Sequence, residues 1–157
     1  MEKFIDRLYH VCITVADIEE ALAFYCGVLG LESTGSLRNE KSDGAVLGRP
    51  GEEIEIHAEH LRGTVTENAT VIDLIQYITP KADETAPPQN LERMGITRMA
   101  FGVKNIDDIY ETLKARGDIK FVCEPMLLNA PGGGWLKVFT FHDPFGVTLE
   151  LIESGQE

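Results

Sequence analysis

No apolar run in this sequence reaches the roughly 18 residues that a membrane-crossing helix needs. The opening residues, MEKFIDRLYH, lack the apolar stretch of a secretory leader, which predicts a cytoplasmic protein. Cysteine is scarce. Cys12, Cys26 and Cys123 make an odd number with no C-x-x-C pair, which excludes a disulfide framework or a cysteine-based zinc site and leaves buried thiols as the expectation. Positive charge is scarce too: 14 Lys and Arg stand against 26 Asp and Glu, for a net charge of −12. Such a surface repels phosphate backbones and anionic headgroups, so neither nucleic acid nor a membrane is expected as a partner. The glycine run APGGG at 130–134 has no P-loop lysine and no helix start behind it, so it is no phosphate cradle. There is no low-complexity segment.

What is present is a repeat. Residues 7–31, RLYHVCITVADIEEALAFYCGVLGL, match GITRMAFGVKNIDDIYETLKARGDI, which begins at Gly95. Each copy is an alternating run, then a polar cap, a helical stripe and a glycine stop. Val15 falls on Val103, Asp17 on Asn105, Ile18 on Ile106 and His10 on Arg98. Strand-like segments follow each copy, and each set holds one acid among apolar residues: Asp73 in VIDLIQYI and Glu150 in VTLELI. With 157 residues, 43% of them hydrophobic, there is material for one compact domain built of two small modules.

Taken in order, Leu8 to Val15 alternates. Tyr9, Val11, Ile13 and Val15 form an apolar face for a helix, and Leu8, His10, Cys12 and Thr14 a face with polar groups that lines a cavity. Asp17 is the expected cap of a helix whose stripe is Ile18, Ala21, Leu22, Tyr25 and Leu29. Residues 31–37 read as a second strand, 38–52 as a long loop that is either a lid or an insertion, 53–61 as a third strand and 69–79 as a fourth. Residues 80–94, with three prolines, form a linker between a first module at 6–79 and a second at 95–153. In the second, 96–103 is a strand, Asn105 caps a helix ending at Gly117, 120–124 is a short strand and 130–134 a mobile loop. Residues 135–141 and 147–153 are strands joined by HDPFG. Helix once per module, then three strands, predicts an α+β fold of two tandem βαβββ modules, with a cupped, mainly antiparallel mixed sheet. His10, Asp73, Arg98 and Glu150 then occupy equivalent positions around one centre.

The run DIEEALAFYCGVLGL, the terminal DPFGVTLELIE and the order of elements resemble the vicinal oxygen chelate superfamily, that is, the glyoxalase, bleomycin-resistance and dioxygenase proteins. The resemblance covers roughly residues 6 to 153. It implies a metal ligand on the first and fourth strand of each module, which puts His10, Asp73 and Glu150 in ligand positions for Zn, Ni, Fe or Mn. The fourth position holds Arg98, where many metal-using members have His. Arginine offers no lone pair, and its charge repels a divalent ion at ligand distance.

Two readings stand. In one, His10, Asp73 and Glu150 hold a metal and Arg98 swings to a substrate carboxylate. In the other, which the charge argument favours, the site is metal-free. Arg98 pairs with Glu150, Asp73 or both, and His10 is a base or a hydrogen-bond donor. The resemblance implies a small-molecule enzyme, a lyase or isomerase that shifts a proton next to a carbonyl with His10, Glu150 and Arg98. The alternative is a drug-sequestering, bleomycin-resistance-like binding protein. A homodimer is expected from the same resemblance. His57 and His60 sit three apart on a strand, on opposite faces, and do not chelate as a pair. Trp135, Phe139 and Phe141 make either an aromatic wall for a ligand or ordinary core.

Overall fold

The computed structural model describes residues 4–5, 7–87, 90–131 and 133–156. The described residues contain two α-helices and nine strands in two mixed sheets, an α+β architecture. The chain divides into two units, one up to Thr85 and one from Ala86.

In the first unit β1 (His10–Thr14) leads into α1 (Ile18–Tyr25), followed by β2 (Glu32–Gly44), a 3-10 turn, β3 (Arg49–Arg62) and β4 (Val71–Thr79). The strand order is β1-β4-β3-β2, with β1 parallel to β4 and the other pairs antiparallel. Asp17 caps α1 as its sequence predicts: its carboxylate accepts the N–H groups of Glu19 and Glu20 at 2.8 and 3.0 Å. The helix buries Ile18, Ala21, Phe24 and Tyr25. Phe24 is buried where Leu22 and Leu29 of the expected stripe are only half-buried, Leu29 lying past the helix end, and its ring packs edge-on to Tyr25 with centroids 5.3 Å apart. Tyr25, Leu61 and Leu74 are fully buried. Each such aliphatic or aromatic side chain contributes about 1.5–3 kcal/mol by leaving water.

The expected loop at 38–52 is instead the far end of a hairpin. Lys41 and Ser42 pair with Glu55 and Ile54. Composition misled here for a physical reason. β2 is an edge strand exposed at every position except Gly44, so it carries no buried alternation to read. Gly48 and Gly51, at φ +81° and +77°, supply the left-handed turns that close the hairpin.

The second unit contains β5 (Met99–Gly102), α2 (Ile106–Arg116), β6 (Lys120–Phe121), β7 (Met126–Asn129), β8 (Trp135–His142) and β9 (Thr148–Gly155). Its order is β5-β9-β8-β6, with β7 also on β8 and β5 parallel to β9. β7 lies outside the expected elements: the short strand β6 stops at Phe121, before Pro125, and the chain pairs with β8 again directly after the proline. Of the expected mobile loop 130–134, Gly132 lies outside the described residues. Asn105 does not cap α2 with its side chain. It sits in the left-handed region at φ 59°, and Glu153 from β9 accepts the N–H groups of Asn105 and Ile106 at 3.1 and 3.0 Å instead. Phe139 and Phe141 are wholly buried and packed with Phe121, and Tyr110 of α2 stands 5.3 Å from Phe139. These two rings are core rather than a ligand wall. In the HDPFG turn, Asp143 Oδ1 accepts the N–H groups of Phe145 and Val147 at 2.9 and 2.7 Å, so the aspartate as well as Pro and Gly fixes the corner.

Candidate functional site

The two units repeat one register. Across the parallel pair β1–β4, Cys12 lies opposite Asp73, so His10 is two residues upstream of Asp73's partner. Across β5–β9, Ala100 lies opposite Glu150, so Arg98 holds the same relation to Glu150. The sequence equivalence of His10 with Arg98 and of Asp73 with Glu150 is therefore also a backbone equivalence. It extends three residues on. Gln76 Oε1 accepts the N–H of Ile18 at 3.0 Å, as Glu153 accepts that of Ile106. In the first unit the helix-side residues Ile13 and Val15 are buried, while His10, Cys12 and Thr14 stay exposed.

In the first unit, Asp73 is 8% exposed, a buried carboxylate on β4. The antiparallel register places His60 of β3 directly opposite it. Directly opposed residues share a face, and His60 Nε2 stands 3.4 Å from Asp73 Oδ1. The His10 and His60 rings are 6.2 Å apart, centroid to centroid. One ligand atom each from His10, His60 and Asp73 lies within 4.8 Å of the others. Cys12 donates its S–H to Asp73 Oδ2 over 3.4 Å. Desolvation, then that hydrogen bond and the carboxylate's charge, push the Cys12 thiol up to about 11, so it stays protonated at neutral pH. Asp73 Oδ1 is buried and receives no hydrogen bond; the 3.4 Å approach of His60 lacks the geometry. A buried carboxylate oxygen left without a donor costs about 1–3 kcal/mol, more when charged. A divalent cation removes that cost, so the residues present fit a metal.

In the second unit Arg98 Nε is 2.9 Å from Glu150 Oε2. Glu150 is largely buried and the guanidinium half-exposed, with side-chain exposures of 12% and 46%. Arg98 thus supplies a permanent cation to Glu150, while Asp73 has only the imidazole of His60 beside it, at 3.4 Å. Of the four positions singled out in the sequence, His10 and Asp73 are brought together in one unit, and Arg98 and Glu150 in the other.

His60 is the residue that sequence reasoning missed. In the sequence it stands out only beside His57, and His57 is engaged elsewhere, its Nδ1 accepting the Asn39 N–H at 3.0 Å. The signal was present but partial: alternation along β3 separates His60 from His57, yet only the β3–β4 register reveals that Asp73 is its neighbour.

The family model described as Glyoxalase/Bleomycin resistance protein/Dioxygenase superfamily matches residues 7–151. A glyoxalase family protein from Bacillus cereus superposes with a TM-score of 0.75 at 20% identity, covering 98% of this chain and 97% of that one. A virulence protein from Salmonella typhimurium gives 0.59 at 22% identity, covering 96% and 98%. The antibiotic-binding protein TnmS3 from Streptomyces sp. CB03234 gives 0.63 at 17% identity, covering 98% and 100%. At these identities the likeness is one of fold. No protein of curated function matches the chain.

Proposed function

This chain belongs to the Glyoxalase/Bleomycin resistance protein/Dioxygenase superfamily, and on that premise we propose that it is a small-molecule enzyme, a lyase or isomerase that moves a proton next to a carbonyl. The observation that carries the reading is the buried Asp73 oxygen that has no donor, beside the imidazole of His10. His10 and Asp73 offer nitrogen and oxygen donors for one divalent ion of the Zn, Ni, Fe or Mn kind. When bound, such an ion polarises a substrate carbonyl oxygen as a Lewis acid. Glu150 is the proton-moving group. As a general base and then a general acid, its carboxylate can take a proton from a carbon next to a carbonyl and return it to the same or the neighbouring carbon. Arg98 is the positioning residue: it holds Glu150 in place through their 2.9 Å ion pair. Its half-exposed guanidinium also has N–H groups free to meet an anionic group of the substrate.

The test uses the full chain, reconstituted with each metal in turn, in D2O. Hemithioacetals, 2-hydroxyaldehydes and acyl thioesters serve as substrates, and proton NMR follows exchange at the carbon next to the carbonyl. Exchange in the wild type, and its loss by two orders of magnitude or more in Glu150→Gln, is the expected result. Tight binding of a compound with no exchange, unaffected by Glu150→Gln, would overturn it.

That outcome is what a second reading expects: sequestration of a small molecule without chemistry. It is favoured by the fold shared with TnmS3. A homodimer belongs to either reading. Met126, Leu127 and Leu128 on β7 leave an apolar stretch exposed, and light scattering on the full chain decides the point.

A further inference from the structure

We propose that the first unit carries a self-contained divalent-metal site made of His10, His60 and Asp73. His60 takes the ligand role that the four-position pattern would draw from the second module. The inference deepens the metal part of the reading above and frees Glu150 to act on protons rather than on the ion.

Three observations carry it. The donor atoms are already gathered: one from each of the three residues lies within 4.8 Å of the others. Ligands about 2.1 Å from a tetrahedral zinc ion are about 3.4 Å apart, and His60 Nε2 and Asp73 Oδ1 stand at 3.4 Å. Second, the face is held by a sheet rather than a loop. β4 lies between β1 and β3, so Asp73 has the His10 strand on one side and His60 directly opposite on the other. Sites built on strands hold their geometry more tightly than sites on loops. Third, Asp73's two oxygens have different circumstances. Oδ2 accepts the Cys12 S–H, whereas Oδ1 is buried and donorless. This leaves Oδ1 as a single-oxygen ligand, while Cys12 acts as an outer-shell hydrogen-bond donor that orients the carboxylate.

Two imidazoles and one carboxylate select a borderline transition ion, Zn(II), Co(II), Ni(II) or Fe(II), over the all-oxygen preference of Mg(II) or Ca(II). Three protein ligands leave at least one position open, which is the pattern of a working site rather than a structural one. Among the described residues the second unit has no matching set. Thr140 stands opposite Glu150 where His60 stands opposite Asp73, and Arg98 stands where His10 does.

The experiment is metal binding without any substrate. The full chain, untagged and stripped with chelator, is titrated with Co(II), whose visible spectrum reports ligand number, and with Zn(II) by competition. One ion per chain is expected in the wild type. His60→Ala and His60→Gln should each weaken binding by more than the roughly 10–100-fold that losing an outer-shell partner costs, with unchanged far-UV circular dichroism showing that the fold survives. Glu150→Gln should bind with wild-type affinity. Loss of binding in Glu150→Gln, retention in both His60 variants, or no stoichiometric binding in the wild type would each overturn the proposal. Because no turnover is measured, failure here is distinct from failure of the proton-exchange assay. A chain that binds Co(II) through His60 but exchanges no proton keeps this site and loses that reaction.

Discussion

Arg98 and Glu150 meet at 2.9 Å across two parallel strands, and the residues at the same positions of the first unit, His10 and Asp73, make no such pair. One module closes its acid with a cation from its own first strand. The other leaves a carboxylate oxygen buried without a donor. The repeat therefore keeps its backbone and divides its chemistry: a guanidinium is a permanent internal counter-ion, whereas an imidazole can be a ligand.

The Arg98–Glu150 pair is half-exposed on the arginine side, so its energetic worth is modest. A double-mutant cycle with Arg98→Ala and Glu150→Gln, read by urea unfolding, should give a coupling of about 0.5–1 kcal/mol after allowing for solvent screening. A coupling above roughly 3 kcal/mol would mean that the pair is a buried structural bridge and no longer available to a substrate.

Glu153 is the cap of α2. Glu153→Ala strips the acceptor from two backbone N–H groups at once and should cost about 1–2 kcal/mol of unfolding free energy. Hydrogen exchange should speed up first at the amides of Asn105 and Ile106. Asn105→Gly should be close to neutral, because Asn105 makes no side-chain cap and already sits in the left-handed region. A cost for Asn105→Gly equal to that of Glu153→Ala would refute this account of the cap.

That helix shows where the sequence was legible and where it was not. The position of α2 followed from Asn105, the apolar spacing and Gly117, all local signals, and so did the strands around His10, Asp73 and Glu150. Its actual cap comes from 48 residues further along, through the β5–β9 pairing, which no local pattern encodes. His60 was lost for the same reason. Alternation gave its face, but its neighbour was decided by a strand register. The edge hairpin at β2 failed differently: a strand with both faces in water has no hydrophobic period to detect.

Stability at acid pH should turn in part on Glu59. Burial alone would raise its carboxyl, but hydrogen bonds from Ser33, Arg38 and Ser36 and the charge of Arg38 outweigh that and hold it below the ordinary 4.5. Arg38 Nη2 lies 2.9 Å from Glu59 Oε2. A carboxyl depressed in the folded state contributes stability that is fully present above 4.5 and is lost as pH falls through the lower folded value. Glu59→Gln should therefore be less stable than wild type at pH 7, by about 1–2 kcal/mol given the partly exposed arginine. The two unfolding curves should converge as pH falls through that lowered value. Parallel curves down to pH 3 would show that some other acid carries the dependence.

With the proposed metal site, Asp73 sets the stability of the metal-free fold against ion binding. Its buried, donorless oxygen is a cost that the metal-free fold bears. Asp73→Asn removes the charge and keeps the shape, and the amide oxygen still accepts from Cys12. The metal-free variant should thus be as stable as the metal-free wild type, or more stable by about 1 kcal/mol. Zinc should reverse the order. An ion that binds only the folded wild type stabilises it by about 2.7 kcal/mol at a hundred times its dissociation constant, and Asp73→Asn should gain little. Thermal unfolding of both proteins with chelator and with Zn(II) gives four midpoints. The expected pattern is a crossing, with the variant at or above wild type in chelator and below it in zinc. A variant less stable than wild type by more than 1 kcal/mol in chelator would show that the carboxylate is already satisfied within the fold and needs no ion.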